Sequence, residues 1–287
     1  MTSWYLFSIT ALCLLGAQRF FYKVAAEKHC PTAWVTFSFM ATVTLLSAGL
    51  FFLQHRQEPH LSYLVTISFL NSAAFLIATV AHMEALKYIA ANIAYTIIRL
   101  NVIVVVMFSI LYFKDPITRA QSMGLVLAVI AMMILAKQMQ QDAGPGERRR
   151  RGILFVGLAL FGGAAASVSS KFAAMHTDKL AFMALSYLMG MAGSLWINKT
   201  LPSDRAHGDH RKEAIIIGIL MGLLNFAGFF AFLAALENGP LSLIATIVGM
   251  HFVISIVLSI IIYREKITPA GGMGIFLAII SLILLRL

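Results

Sequence analysis

One arginine lies where a membrane-spanning segment would normally carry leucine or valine. Arg99 follows about seven apolar or weakly polar residues of its run, at a depth where insertion of an arginine costs up to about 2.5–3.5 kcal/mol. Helical spacing (i, i+3, i+4, i+7) gives one face four polar residues: Asn92, Tyr95, Thr96 and Arg99. A planar, permanently charged guanidinium suits a carboxylate or phosphate. The face therefore predicts an intramembrane anion site, with pairing to Glu84 or backbone carbonyls as the structural alternative.

The same face recurs later in the chain, because Ala85–Leu135 is repeated without a gap by Ala235–Leu285 at an offset of 150 residues. The equivalent face holds Ser242, Ala245, Thr246 and Gly249. Two polar stripes related by a repeat indicate a shared aqueous cavity. Since glycine replaces the arginine in the second copy, we expect empty space on that wall. Asn101 and its counterpart His251 lie on a neighbouring face, where a helix–helix hydrogen bond and a ligand contact are both open.

Two further stripes combine an asparagine with aromatic residues. The third apolar run places Asn71, Phe75, Ala78 and His82 on one helical face, and the eighth places Asn225, Phe229 and Phe232 on another. Asparagines beside aromatic rings in a cavity would bind a polar substrate. Hydrogen bonding between helices is an equal alternative.

The composition requires a membrane to surround these residues. The chain is 60% hydrophobic and 12% charged, against about 25% charged residues in soluble domains. Apolar runs near the 18–20 residues needed to cross about 30 Å of hydrocarbon number ten: about 3–24, 32–53, 61–84, 91–113, 117–136, 152–175, 180–198, 214–236, 240–263 and 267–287. All seven prolines fall at or between these runs, so no span is predicted to be broken by proline.

The repeat extends to the first span of each half. Lys23-Val24-Ala25-Ala26 near the end of span 1 resembles Lys171-Phe172-Ala173-Ala174 in span 6, at an offset of 148. We predict a first five-helix repeat over 1–138, a basic linker over 139–151 and a second repeat over 152–287. An odd number of spans per half makes the second half enter from the opposite side. The predicted fold is therefore all-α and integral to the membrane, with ten transmembrane helices in two inverted-topology repeats.

The basic residues predict contact with lipid and an orientation. Four consecutive arginines, 148–151, read as a headgroup anchor in the bilayer and not as a nucleic-acid site. With Arg99 set aside, loops 1–2, 3–4, 5–6, 7–8 and 9–10 share 15 Lys and Arg, and the other side has 6. The positive-inside rule then places both termini outside.

The sequence lacks the motifs of common hydrolases and metal sites. No His-Glu-x-x-His, Gly-x-Ser-x-Gly or Cys/His metal spacing occurs, so we expect no enzyme, metal or cofactor. Cys13 and Cys30 are too far apart along a helix for a disulfide. Buried acids that would couple transport to protons or sodium are scarce. Small-residue clusters such as Gly218-xxx-Gly222 indicate close helix packing within the subunit, with a homodimer contact as the alternative.

The whole chain resembles the EamA-type, ten-helix branch of the drug/metabolite transporter superfamily. The resemblance rests on the two five-helix halves, the lysines of spans 1 and 6, and the turns after spans 4 and 9. Tyr263-Arg264-Glu265-Lys266-Ile267-Thr268 with Gly274 is similar to the family's Glu-containing turn, whereas Lys114-Asp115-Pro116-Ile117-Thr118 with Gly124 has Asp instead. Span 1 has Leu15-Gly16 where Trp-Gly is frequent.

The resemblance implies a multi-pass transporter of the cell (cytoplasmic) membrane that exports or exchanges small metabolites by alternating access. It also implies cytoplasmic termini, opposite to the charge count. Arg99 favours an anionic or zwitterionic substrate such as an amino acid or organic acid. The alternative is an exporter of cationic or neutral compounds in which Arg99 is structural. A membrane enzyme acting on lipid-linked substrates is a third, weaker reading.

Overall fold

A computed structural model describes residues 3–28, 30–55, 60–88, 97–98, 100–137, 147–200, 210–263 and 269–287. These ranges form helices and short connections and contain no β-strand. The helices are α1 (Ser3–Glu27), α2 (Thr32–Leu53), α3 (Leu61–Tyr88), α4 (Asn101–Phe108), α5 (Arg119–Lys137), α6 (Glu147–His176), α7 (Lys179–Thr200), α8 (Arg211–Asn238), α9 (Leu241–Gly249), α10 (His251–Tyr263) and α11 (Pro269–Arg286). One π-helical turn, Ser109–Phe113, continues α4.

The helices confirm an all-α, two-repeat membrane fold. Among the described residues, seven helical segments are long and apolar enough to cross a bilayer, and three shorter apolar helices complete the predicted positions. The shorter ones are Asn101–Phe113, Arg119–Ile134 and Lys179–Leu195. The protein is therefore a multi-pass membrane protein.

If the chain crosses the membrane ten times in alternating directions, the starts of α1 and α3 should lie at the same end of the bundle as the ends of α6 and α11. The structure shows this. Tyr5 at the start of α1 donates a hydrogen bond to the carbonyl of Leu282 near the end of α11, at 3.1 Å. Tyr63 at the start of α3 lies 5.7 Å, ring to ring, from His176 at the end of α6. We call this end the N-terminal face. The ends of α8 and α4 and the start of α9 also lie on it.

The two halves of the sequence interleave. The most extensive packing joins α1 to α8 and α10, α3 to α6 and α7, α2 to α7 and α8, and α5 to α11. Each of these pairs takes one helix from each half. The pairing of α1 with α8 corresponds, through the repeat, to that of α6 with α3. Among the described residues, the core is therefore built mainly where the halves meet.

Spans 4 and 9 are both interrupted at the same repeat position, although no proline is present. The amide of Met250 donates to the carbonyl of Ile247 at 3.1 Å, and that of Leu100 donates to Ile97 at 3.0 Å. These are i to i+3 bonds of a tight turn, and such turns mark hinges or strain inside a helix. The sequence analysis predicted that no span is broken by proline, and these two turns contain none. It did not predict the turns themselves.

Glycines on α8 allow its close contact with α2, as the small-residue pattern predicted. A Cβ on Gly218 would lie 1.9 Å from Ser38 Oγ and 2.6 Å from the carbonyl oxygen of Val35. A Cβ on Gly222 would lie 2.6 Å from Thr42 Cβ. This glycine pair is therefore occupied within the subunit.

We expect Gly218→Ala to destabilise the protein by about 1–3 kcal/mol, because the added methyl overpacks the interface of α8 with α2. Gly157→Ala is the matched control, since nothing lies within 4 Å of a Cβ there. That control should be neutral or stabilising by up to about 1 kcal/mol through helix propensity. Thermal unfolding of both variants in detergent measures the difference. Equal stabilities would contradict the packing.

Cys30 provides a test of orientation, because it lies between α1 and α2, on the face opposite the N-terminal face. Cys13 is within α1, so Cys13→Ser leaves one loop thiol. Burial and the Glu213 carboxylate raise the pKa of Cys30, and Lys28 partly opposes them. Only the thiolate reacts, so labelling should rise about tenfold per pH unit from pH 7 to 8.

In right-side-out cells, an impermeant maleimide should label Cys30 if the termini are cytoplasmic. If the termini are outside, labelling should require permeabilisation. Cys30→Ser is the control for labelling of other groups.

Candidate functional site

Half of the predicted substrate-binding residues lie outside the described part of the structure. These are Asn92, Tyr95, Thr96 and Arg99. Their neighbours Ile97 and Ile98 pack against Ala85 of α3 and Val156 of α6. The predicted arginine face therefore stays a prediction.

The equivalent face on α9 is tightly packed. Thr246 is completely buried and donates its hydroxyl proton to the Ser242 carbonyl at 2.7 Å. A Cβ on Gly249 would lie 2.9 Å from Val102 and 3.4 Å from Met132. The expectation of empty space at this wall was wrong, because side chains from the other half of the chain fill it.

The imidazole of His251 lies at the start of α10, beside the tight turn at Met250. Its Nδ1 lies 2.8 Å from the Val248 carbonyl. The backbone here is approached closely by α1, since a Cβ on Gly16 would lie 2.6 Å from the His251 carbonyl oxygen and 2.5 Å from Ile254 Cβ. His251 thus belongs to the contact between α1 and span 9. A ligand contact by its ring stays a prediction.

Asn71 joins three helices. Its amide nitrogen lies 2.8 Å from the Ala166 carbonyl, 2.9 Å from Ser169 Oγ and 3.0 Å from Ser170 Oγ, all on α6. Its amide oxygen accepts a hydrogen bond from Ser186 of α7 at 3.1 Å. The side chain is 6% exposed. These contacts support the packing alternative for Asn71.

Asn225 is the middle member of a buried polar chain between the halves. The Tyr187 hydroxyl of α7 donates to its amide oxygen, and its amide nitrogen donates to Gln18 of α1 at 3.4 Å. Tyr187 also makes edge contacts with Phe39 and Phe229, each at 5.8 Å between ring centroids. The structure therefore adds Gln18 and Tyr187 to the asparagine and aromatic stripe that the sequence predicted.

Asp115 forms a cluster that the sequence did not predict. Its Oδ2 accepts hydrogen bonds from the Ser109 hydroxyl, from the Ser242 amide at 3.1 Å and from the Ser242 hydroxyl at 2.9 Å. Pro240 occupies the N-cap position of α9 and makes no side-chain cap. Asp115 therefore satisfies an amide at the buried start of α9, where a negative charge also complements the helix dipole.

Lys171 performs the complementary task at the end of α8. Its ammonium donates to the carbonyl of Leu236 and, at 2.9 Å, to that of Gly239. The side chain is 7% exposed, and the Phe113 ring centroid lies 5.8 Å from Nζ. A cation at the C-terminal end of a helix is favourable for the same dipole reason.

A cleft of about 250 Å³ opens beside this cluster on the N-terminal face. It is lined by Asp115, Pro116, Lys171, Glu237, Asn238, Gly239 and Pro240. Glu237 forms an ion pair with Lys179 of α7 at 2.7 Å. Within the described ranges, no group of three metal-ligating side chains occurs.

The sequence contained a signal for this cluster. The lysine of span 6 and the acid after span 4 were noted as repeat markers, and each has a counterpart in the other half. The sequence could not show that Asp115 and Lys171 are close in space, because they are far apart in the chain. They line the same cleft only when α4 and α6 pack at the ends of α8 and α9.

Asp115→Ala should lower the free energy of unfolding by about 1–3 kcal/mol, because the Ser242 amide and the hydroxyls of Ser109 and Ser242 all lose their carboxylate acceptor. Of these groups, the amide keeps a second acceptor, Ser109 Oγ at 3.1 Å. Ser242→Ala keeps that amide bond and removes only the hydroxyl, so its cost should be smaller, about 0.5–1.5 kcal/mol. Thermal unfolding in detergent measures both. A wild-type midpoint for Asp115→Ala would contradict the capping role.

Comparison with known proteins places the fold. The sequence model of the EamA-like transporter family matches residues 2–137 and 150–287. No curated protein matches the chain. A solved crystal structure, described only as that of a protein, covers 99% of this chain and 96% of its own, with a TM-score of 0.80 and 14% sequence identity. At that identity the likeness shows the fold alone.

Proposed function

Because the chain belongs to the EamA-like transporter family, we propose that it is a secondary exporter or exchanger of a small polar metabolite. The substrate is anionic or zwitterionic, of the amino acid or organic acid class. It is carried by alternating access around a central cavity between the two repeats. The family is one of transporters, and we accordingly assign no enzymatic reaction and no cofactor.

The observation that carries the mechanism is the repeat-related break in spans 4 and 9. Leu100 and Met250 form equivalent tight turns, and the positions just before them are Arg99 and Gly249. Each turn lies against a span of the other half, since Asn101 is close to Gly163 of α6 and His251 is close to Gly16 of α1. Two equivalent hinges at a two-fold repeat allow two related conformations of similar energy, which alternating access needs.

Arg99 carries the proposed substrate class. An arginine beside a hinge in the membrane can bind a carboxylate through two parallel hydrogen bonds. The competing substrate class is cationic or neutral. It is favoured by the aromatic rings around Tyr187, which adjoin the Gln18 and Asn225 amides. These rings are the buried Phe39, Phe182 and Phe232 and the half-buried Phe229.

A thermal-shift screen of the purified protein separates these two classes. It uses amino acids, organic acids, sugar phosphates and quaternary amines. One anionic class should stabilise the wild type, by about 2.7 kcal/mol at a concentration of 100 Kd, and the shift should disappear in Arg99→Ala. Tyr187→Phe is the matched variant at the aromatic chain and should keep most of the shift.

Stabilisation by amines or neutral solutes that persists in Arg99→Ala would contradict the anionic assignment. It would assign the substrate to the rings and amides around Tyr187. Uptake of the stabilising solute into proteoliposomes, compared with empty liposomes, tests transport itself. A ligand that binds without being carried would contradict the transport proposal.

We place the protein in the cell (cytoplasmic) membrane, and the Cys30 labelling experiment decides which face is cytoplasmic. A homodimer remains a proposal. Its contact would not use the glycines of α8, because α2 covers them.

A further inference from the structure

We propose that Asp115 and Lys171, with Ser109 and Ser242, form a gate that closes the transport pathway at the N-terminal face. This inference rests on the proposed alternating-access function. The four residues come from the π-helical turn after α4, the following connection, α6 and α9. The cluster therefore joins elements from both halves at one end of the bundle.

The cluster holds the end of α8 and the start of α9 together. Lys171 binds the carbonyl of Leu236 in the last turn of α8 and the carbonyl of Gly239 just after it. Asp115 binds the first turn of α9. Only Gly239 and Pro240 separate these two helices. The two charged side chains thus fix the end of one helix and the start of the next.

The buried start of α9 lies directly below the cleft. Ser242 and Thr246 are completely buried, one turn apart on α9, and the tight turn at Met250 follows them. The cleft of about 250 Å³ stops above these residues, since its lining reaches Pro240 and includes no residue of α9. A solute entering from the N-terminal face would reach span 9 only after Asp115 and Ser242 separate.

The hydrogen bonds to Asp115 are of a kind that can break and form again. Hydrogen bonds from serine hydroxyls and amides to a carboxylate at a protein edge exchange readily with water, unlike interdigitated apolar side chains. Asp115 is only partly buried and adjoins an open cleft. Water can therefore replace its partners when the two halves move apart. A polar cluster is suited to repeated opening.

The repeat supplies the same residue types to the opposite face. Lys23 corresponds to Lys171 at an offset of 148, and Glu265 corresponds to Asp115 at an offset of 150. The Lys23 side chain and Glu265 lie outside the described part of the structure. We assign the gate to the Lys171 face alone.

The test measures how fast water-borne reagent reaches the residue below the gate. Thr246→Cys, in a background of Cys13→Ser and Cys30→Ser, places one thiol there. A positively charged methanethiosulfonate reagent is applied to purified protein without any solute. We expect Lys171→Met and Asp115→Asn each to raise the labelling rate by at least about tenfold, because each weakens one attachment and raises the open population.

Lys179→Met is the matched control. It removes the neighbouring ion pair with Glu237 on the same face but leaves both attachments of α8 and α9 intact, so the labelling rate should be unchanged. Thermal unfolding of every variant confirms that it is folded at the labelling temperature.

Unchanged labelling in both Lys171→Met and Asp115→Asn overturns the gate. An equal rise in Lys179→Met also overturns it, because any loosening of the face would then expose α9. These results are separate from the thermal-shift screen and uptake assay. Transport with unchanged labelling removes the gate and keeps the transport function. Faster labelling without transport of any solute removes the transport function and keeps only the control of access to α9 by this cluster.

Discussion

The structure depends on satisfying the amides at the buried start of α9. Residues Leu241–Val248 are all buried, so this helix has contacts on every side, and the N–H groups of its first turn need acceptors from the protein. Proline at the N-cap offers no side-chain acceptor. The carboxylate of Asp115, from the other half of the chain, supplies one. The burial of α9 therefore requires Asp115, in the turn after span 4, to lie beside the first turn of this helix.

The same requirement connects the core to the proposed pathway. The π-helical turn directs Ser109 to Asp115, and Lys171 holds the end of α8 immediately before α9 begins. Below this point the two halves contact each other through polar chains at Asn71 and Asn225 and through small residues on α1, α6 and α8. Helices in lipid gain little from burying apolar surface against each other, so hydrogen bonds and close packing specify these pairs.

Interleaving of the halves has a functional consequence. Because each half packs mainly on the other, a movement of one repeat must change contacts along the whole bundle and cannot occur within one half alone. In the proposed mechanism, spans 4 and 9 bend at the tight turns at Leu100 and Met250. A repeat of this kind can exchange the conformations of its halves, which is the basis of the proposed transport cycle.

The sequence by itself determined the membrane environment, the helix positions and the inverted repeat, because apolar length and an offset of 150 residues are properties of the chain alone. It also identified Asn71 and Asn225 as candidates for either ligand contacts or hydrogen bonds between helices, and Gly218-xxx-Gly222 as a packing motif. Only the tertiary structure decided that Val102 and Met132 fill the space beside Gly249. It alone showed that Asp115 and Lys171 bind the two sides of the junction of α8 and α9, and that Tyr187 and Gln18 bind Asn225. These contacts join residues far apart in sequence, and helical periodicity specifies the face of a residue without specifying which helix packs against that face.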